Sequence, residues 1–193
     1  INVPQQRLSF NLLNEPEFEK PLRRDKWLTL AEDTIREIRK IDNERVVILE
    51  GVGKSLFANR KDAGKGKLMY SIDDIIKPLP YENIVYGFHY YSPYYFTQQG
   101  YTKYSPDVRL EYNDRVKQII IEDAERLYNW ASKNQVPVIL SEVGVIGFYK
   151  DDVASPRNQY SQNVTYIDGK ETTGPASNAD RAMYASDVYN EFT

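Results

Sequence analysis

Two glutamates stand where an apolar stretch gives way to a turn: Glu15, in Leu8-Ser-Phe-Asn-Leu-Leu-Asn-Glu-Pro16, and Glu142, in Pro137-Val-Ile-Leu-Ser-Glu-Val-Gly144. Two carboxyl groups held close together can divide acid and nucleophile between them. One protonates a leaving oxygen while the other attacks the carbon it leaves, which is what glycoside hydrolysis requires. A glutamate at a strand end is also common as a solvated or helix-capping residue, so type and position alone leave both readings open. Other polar residues fall at comparable places: Asn14 beside Glu15, Glu50 after Val46-Val-Ile-Leu49, and His89 and Tyr91 after Ile84-Val-Tyr-Gly-Phe88.

The elements that would position these residues can be read from periodicity. Arg7 to Leu13 is mostly apolar and stops at Asn14-Glu-Pro16, where proline ends regular pairing, so a buried strand is expected. From Leu22 to Ile41, Trp27, Leu28, Leu30, Ala31, Thr34, Ile35, Ile38 and Ile41 recur at three and four residues, the pattern of an amphipathic helix. Arg45 to Leu49 reads as a second strand, Ile72 to Ile76 as a short helical stretch and Asn83 to His89 as a third strand. A long helix over Asp107 to Asn134 leads to a fourth strand, Val136 to Glu142. Ser155 to Ser177 reads as a polar loop and Asn178 to Phe192 as a final helix. Strands alternating with helices, the strands near-continuously apolar, predict an α/β fold with a parallel sheet covered by helices. The polar residues singled out above all fall at C-terminal strand ends, which in a (β/α) barrel is the catalytic rim.

Composition narrows the function classes. Lys and Arg number 25 against 28 Asp and Glu, a net charge of −3, and no long basic run offers a nucleic-acid footprint. No apolar run is long enough to cross a membrane. Cysteine is absent and His89 is the sole histidine, so neither a zinc site nor any other resident metal or cofactor is expected. Gly51-Val-Gly-Lys-Ser55 lacks the first glycine of a phosphate-binding loop, since Ile48 stands there. Asp73-Asp74 and Asp151-Asp152 lack a glycine-framed calcium loop, and Asn163-Val-Thr165 reads as surface loop. The chain is rich in aromatics, with 16 Tyr, 7 Phe and 2 Trp. Six of these lie in Tyr90 to Tyr101, readable as a sugar-stacking wall or as a packed lid, whereas Trp27 and Trp130 sit on helical apolar faces and should pack.

Leu8 to Pro16, Gly87-Phe-His-Tyr-Tyr-Ser-Pro93 and Pro137 to Gly144 together, in this order, resemble three successive signatures of glycoside hydrolase family 5, the cellulase family. The resemblance implies a retaining hydrolase of β-linked polysaccharide, with β-1,4-glucan as the expected substrate. Mannan or xyloglucan hydrolysis, or a catalytically impaired module that binds β-glucan, are the alternatives. Matched position by position, Glu15 falls on the family's acid/base and Glu142 on its nucleophile. Asn14 falls on the residue that bonds the sugar 2-hydroxyl, His89 on a residue at the acid/base side, and Tyr91 on one that orients the nucleophile.

The resemblance also implies that the chain corresponds to roughly the fourth to seventh βα units of an eight-unit barrel. The expected architecture is therefore a partial (half) TIM (β/α)8 barrel of about four parallel βα units, with residues 1–193 forming a single partial catalytic domain. Half a barrel exposes two strand edges and its inner face, so a homodimer or another association that completes the barrel is expected. Secretion is expected from the insolubility of the implied substrate.

Overall fold

The computed structural model describes residues 8–17, 23–52, 72–99, 110–145, 166–167, 170–171 and 176–193. The Gly-Lys-Ser turn at 53–55, the acids at 151–152, the acceptor sequence at 163–165 and Tyr101 lie outside the described residues. The chain divides into two compact units: residues 1–59, 68–90 and 126–142 form the first, and residues 60–67, 91–125 and 143–193 the second.

The first unit is built on a four-stranded sheet in the order β1 (Phe10–Asn11), β2 (Val47–Glu50), β3 (Ile84–Tyr90), β4 (Val138–Val143). The strands run parallel and form half of a barrel. Register aligns Asn11 with Ile48 and Glu50 with Gly87. The two inner strands are buried as expected: Val47 and Leu49 of β2, and Ile84, Tyr86, Phe88 and Tyr90 of β3, all belong to the core. The outer strands are open, as half a barrel implies, and β1 is therefore not the buried strand that its apolar run suggested. Leu8, Phe10 and Leu13 around β1, and Ile139 and Val143 of β4, are exposed, because an outer strand of half a barrel has a neighbour on one side only. β1 is also shorter than the apolar run, although Phe10 N–H to Val46 O (3.0 Å) and Leu12 N–H to Ile48 O (3.2 Å) continue the pairing around it.

Helix α1 (Arg23–Ile41) packs through Trp27, Ala31 and Ile35, a spacing of four that keeps one face toward the core. Leu30 and Ile41, counted with that face on periodicity, are exposed. Arg39 and Lys40 occupy the last turn, where cations offset the helix dipole. The Arg39 guanidinium also donates to Arg45 O (2.8 Å) and Glu82 O (3.0 Å), tying the helix end to the starts of β2 and β3. Trp130, on the C-terminal part of α4 (Asp114–Asn134), meets Tyr86 and Phe88 edge-on at 5.7 and 5.8 Å. Its indole N–H donates to Asp73 Oδ1 (2.9 Å) of the short α2 (Ile72–Ile75). Both tryptophans therefore serve packing. α4 ends at Gln135, whose φ of 55° is the left-handed geometry that closes a helix, with Val136 N–H bonded back to Ala131 O (3.1 Å).

The second unit has its own aromatic core. Phe96, in α3 (Tyr94–Thr97), lies 5.7 Å from both the Tyr112 and the Tyr184 rings. The Tyr184 hydroxyl, on α5 (Asn178–Phe192), donates to Ser92 O (3.0 Å). The Gln99 side chain, fully buried, brackets Leu110 with one bond to its carbonyl (2.9 Å) and one from its N–H (2.8 Å). α4 begins at Asp114 and not near residue 107, because Asn113 caps it: Oδ1 accepts from the N–H groups of Arg115 (3.0 Å) and Val116 (3.2 Å). Ser177 caps α5 by accepting from Asp180 N–H (3.1 Å). The stretch expected as loop up to Ser177 contains a small antiparallel pair, β5 (Tyr166–Ile167) with β6 (Lys170–Glu171).

Burial pushes the Tyr184 hydroxyl well above its usual pKa of 10.0; for Tyr112 burial together with the bond to Asp187 does the same. Both phenols thus favour folding while neutral. This contribution is complete below the unfolded value and is lost as pH rises beyond it toward the folded values. The urea midpoint should fall steeply above about pH 10. In Tyr184→Phe the midpoint should be lower at neutral pH, for want of the bond to Ser92, but its alkaline decline should be shallower; parallel profiles would contradict this.

Candidate active site

The half-barrel brings residues from all four strands to one end. Asn14 and Glu15 follow β1, Glu50 closes β2, His89 is the penultimate residue of β3, and Glu142 lies near the end of β4. Strands of a parallel sheet all finish on the same side, so residues distant in sequence meet there.

His89 is the centre of the cluster and is buried, its side chain 4% exposed. Its Nδ1 lies 2.9 Å from Glu15 Oε1 and 3.3 Å from Glu142 Oε2, and its Nε2 lies 3.3 Å from Glu50 Oε2. Three carboxylates thus surround one imidazole. One oxygen of Glu15 and one of Glu142 lie within 4.8 Å of each other, with the histidine nitrogen inside the same span. Glu15 and Glu142 are partly open, their side chains 28% and 45% exposed, whereas the Glu50 side chain is 3% exposed. The two open carboxylates could meet a substrate; Glu50 faces protein. The donor atoms of Glu15, His89 and Glu142 could also between them ligate a cation.

Glu50 was legible in the sequence only as a polar strand end, with no role attached. Its Oε1 accepts from Asn11 Nδ2 (2.7 Å) and Ser141 Oγ (3.2 Å), and its Oε2 from the backbone N–H of Glu15 (3.0 Å). The Glu50 carbonyl accepts from the indole N–H of Trp27 (2.7 Å), which anchors the end of β2 on α1. Gly87 makes room for this side chain. It sits directly opposite Glu50 in the register, and a Cβ there would stand 2.9 Å from Ile48 Cγ2 and 3.1 Å from Glu50 Cγ. A glycine inside a strand marks such a close approach, and it was the one local signal that something crosses β3 here.

Glu15 adopts φ 45°, in the left-handed region that non-glycine residues seldom occupy. This conformation turns the chain after β1. Asn14, one residue earlier, is exposed. The structure therefore brings Glu15, His89 and Glu142 together and keeps Asn14 adjacent in the chain. Tyr91 belongs to the second unit: it is half-buried, directly follows β3, accepts at its carbonyl from Thr97 Oγ1, and has its ring edge beside Gly144. Of the aromatic run, Tyr90 and Phe96 are fully buried, whereas Tyr94 and Tyr95 are only partly so.

The fold is half of a (β/α)8 barrel with its polar cluster at the C-terminal strand ends. The chain belongs to the cellulase family, glycosyl hydrolase family 5, whose model matches residues 4–181. It is 26% identical over 180 residues to Endoglucanase 3 of Fibrobacter succinogenes, an alignment covering 74% of this chain and 25% of that protein. Among solved structures it resembles a hyperthermophilic endo-β-1,4-glucanase in complex with substrate, with TM-score 0.65 and 24% identity over 97% of this chain and 48% of the other. Cel5A of Thermotoga maritima in complex with mannotriose gives TM-score 0.65 and 21% identity, covering 98% of this chain and 49% of the other. The chain thus spans about half the length of these solved structures and a quarter of Endoglucanase 3. No described helix is long and apolar enough to cross a membrane.

Because His89 is shared among three carboxylates, its removal should be felt in stability as well as at the site. His89→Ala should lower the unfolding free energy by about 1–3 kcal/mol, the cost of leaving the enclosed Glu50 oxygen without the imidazole it faces. Asn14→Ala, at an exposed position, should stay within about 0.5 kcal/mol of the parent. Urea titrations of the two variants check this; equal effects would contradict it.

Proposed function

We propose that this chain carries the catalytic carboxylate pair of a retaining glycoside hydrolase acting on β-1,4-glucan. The observation that carries the reading is the Glu15–Glu142 oxygen approach of no more than 4.8 Å, with both groups partly open to solvent. Retaining glycosidases hold their carboxyl groups about 5–5.5 Å apart, whereas inverting ones need about 6.5–9.5 Å to admit a water. In this reading Glu15, protonated, gives its proton to the glycosidic oxygen as Glu142 attacks the anomeric carbon. The C–O bond to the leaving sugar breaks and a glycosyl ester forms on Glu142. Glu15, now ionised, takes a proton from water, whose oxygen displaces the ester and restores the original configuration. Asn14 would bond the sugar 2-hydroxyl and His89 would support Glu15; for Tyr91 the role of orienting the nucleophile rests on the family resemblance alone.

Endoglucanase relatives favour glucan, and the mannotriose complex of a structural neighbour keeps mannan as a second substrate to assay. We further take both compact units as parts of one partial catalytic domain, since the family match runs through both. The exposed apolar residues Leu8, Phe10 and Leu13 at one outer strand, and Ile139 and Val143 at the other, support an association that completes the barrel, a homodimer being its simplest form. A binding module without turnover is the second reading, favoured by the same half-open sheet. Secretion follows from a polymeric, insoluble substrate.

The test is hydrolysis of carboxymethylcellulose and glucomannan, with the anomer of the first product followed by NMR and the protein assayed over a range of concentrations. Retention is expected, with activity abolished in Glu142→Gln and reduced about 10²–10⁴-fold in Glu15→Gln. Specific activity should rise with protein concentration. Inverted product would overturn the role assignment, and oligosaccharide binding without hydrolysis would establish the second reading.

A further inference from the structure

We propose that Glu50 is a positioning residue for the acid/base side of this site, acting at once on the Glu15 backbone and on the proton of His89. The inference rests on the reading of Glu15 as acid/base. Glu50 is itself enclosed, its side chain 3% exposed, yet its two oxygens reach four different residues of the site end: Asn11, Ser141, Glu15 and His89. A buried carboxylate is costly unless its acceptor positions are met, and here the partners come from the ends of the other three strands. The arrangement therefore locks the strand ends relative to one another around a single anion.

Two consequences reach the chemistry. First, Oε2 accepts the N–H of Glu15, the residue held at φ 45°. A left-handed glutamate persists only where its surroundings over-determine it, and this bond fixes the turn from which the Glu15 side chain projects. Second, Glu50 and Glu142 each stand 3.3 Å from one nitrogen of His89, Glu50 from Nε2 and Glu142 from Nδ1. Glu50 is enclosed whereas Glu142 is screened by solvent, so the stronger pull is for a proton on Nε2. In the neutral imidazole, Nδ1 is then an acceptor, and it lies 2.9 Å from Glu15 Oε1. That geometry suits a Glu15 carboxyl that donates its O–H to Nδ1 while waiting to protonate substrate. Without Glu50 the opposite tautomer becomes accessible and would donate to Glu15, favouring its ionised form. The same logic of an outer partner setting a histidine's tautomer operates in metal sites.

Gly87 supplies an independent handle, because a methyl group there would press on Glu50 Cγ without removing the carboxylate. His89 supplies another: as the sole histidine its imidazole nitrogens are unambiguous in a ¹⁵N spectrum.

The experiment compares the parent, Glu50→Gln, Gly87→Ala and Glu15→Gln by two readouts. The first is ¹⁵N NMR of the neutral His89 ring, which requires no turnover. The parent should carry the proton on Nε2, and Glu50→Gln and Gly87→Ala should shift the population toward Nδ1. The second is kcat on cello-oligosaccharide against kcat on an aryl cellobioside whose leaving group needs no protonation. Glu50→Gln should lose about 10²-fold on the oligosaccharide, the scale of a misplaced catalytic group, and much less on the aryl substrate, with KM little changed. An unchanged tautomer in folded Glu50→Gln and Gly87→Ala overturns the proposal, as does an equal loss on both substrates. If Glu15→Gln itself shows no dependence on leaving group, the assignment of Glu15 fails, whereas a normal dependence there with none in Glu50→Gln sinks the Glu50 role alone.

Discussion

A charge withdrawn from water must find all its partners inside the protein, and the Glu50 carboxylate is the group on which this constraint falls hardest. Its bonds to Asn11, Ser141 and the Glu15 backbone, and its approach to His89, require the four strand ends to stand in one register and at one spacing. The fold meets the requirement with few devices. Trp27 holds the end of β2 to α1 through the Glu50 carbonyl, and Gly87 clears the space across β3 that a side chain would fill. Hydrophobic burial behind β2 and β3 gives the sheet its rigidity, while the polar cross-links at its rim decide which side chains meet.

The division between closed and open carboxylates gives the cluster a direction. Glu50 is enclosed, His89 is enclosed but shared, and Glu15 and Glu142 emerge toward solvent. The imidazole is the one group that all three carboxylates approach, so it links the enclosed side of the cluster to the open one. Such an arrangement suits a pair in which Glu15 would serve first as acid and then as base while Glu142 stays the nucleophile. Membership of the cellulase family and the strand-end location agree with that chemistry.

Much of this was legible in the sequence. The alternation of apolar strands with amphipathic helices gave the α/β class. Asn-Glu-Pro, His-x-Tyr and the Pro-Val to Glu142 run carried the family resemblance, and the strand-end positions of Glu15, His89 and Glu142 anticipated their meeting. Glu50 was hidden because a glutamate closing a strand looks the same whether it is solvated or enclosed. Its function depends on the pairing with Gly87, a long-range register that local pattern does not encode. The exposure of Phe10 and Ile139 was legible only through the half-barrel that the family resemblance implied: the apolar run at Arg7–Leu13 read locally as a buried strand, but an outer strand of half a barrel lacks the neighbour that would bury it. The start of α4 at Asp114 follows from the Asn113 cap, which overrode the apolar periodicity upstream.

The central claim, that Glu142 attacks sugar while Glu15 serves acid and base, is tested most directly by trapping the intermediate. A 2-deoxy-2-fluoro-cellobioside with a good leaving group slows breakdown of a glycosyl ester more than its formation, so a retaining nucleophile becomes labelled. Peptide mass spectrometry after incubation should find the fluorocellobiosyl group on the peptide containing Glu142, and fragmentation should assign it to that carboxylate. Label on Glu15, or turnover of natural substrate with inversion and no label anywhere, would contradict the account.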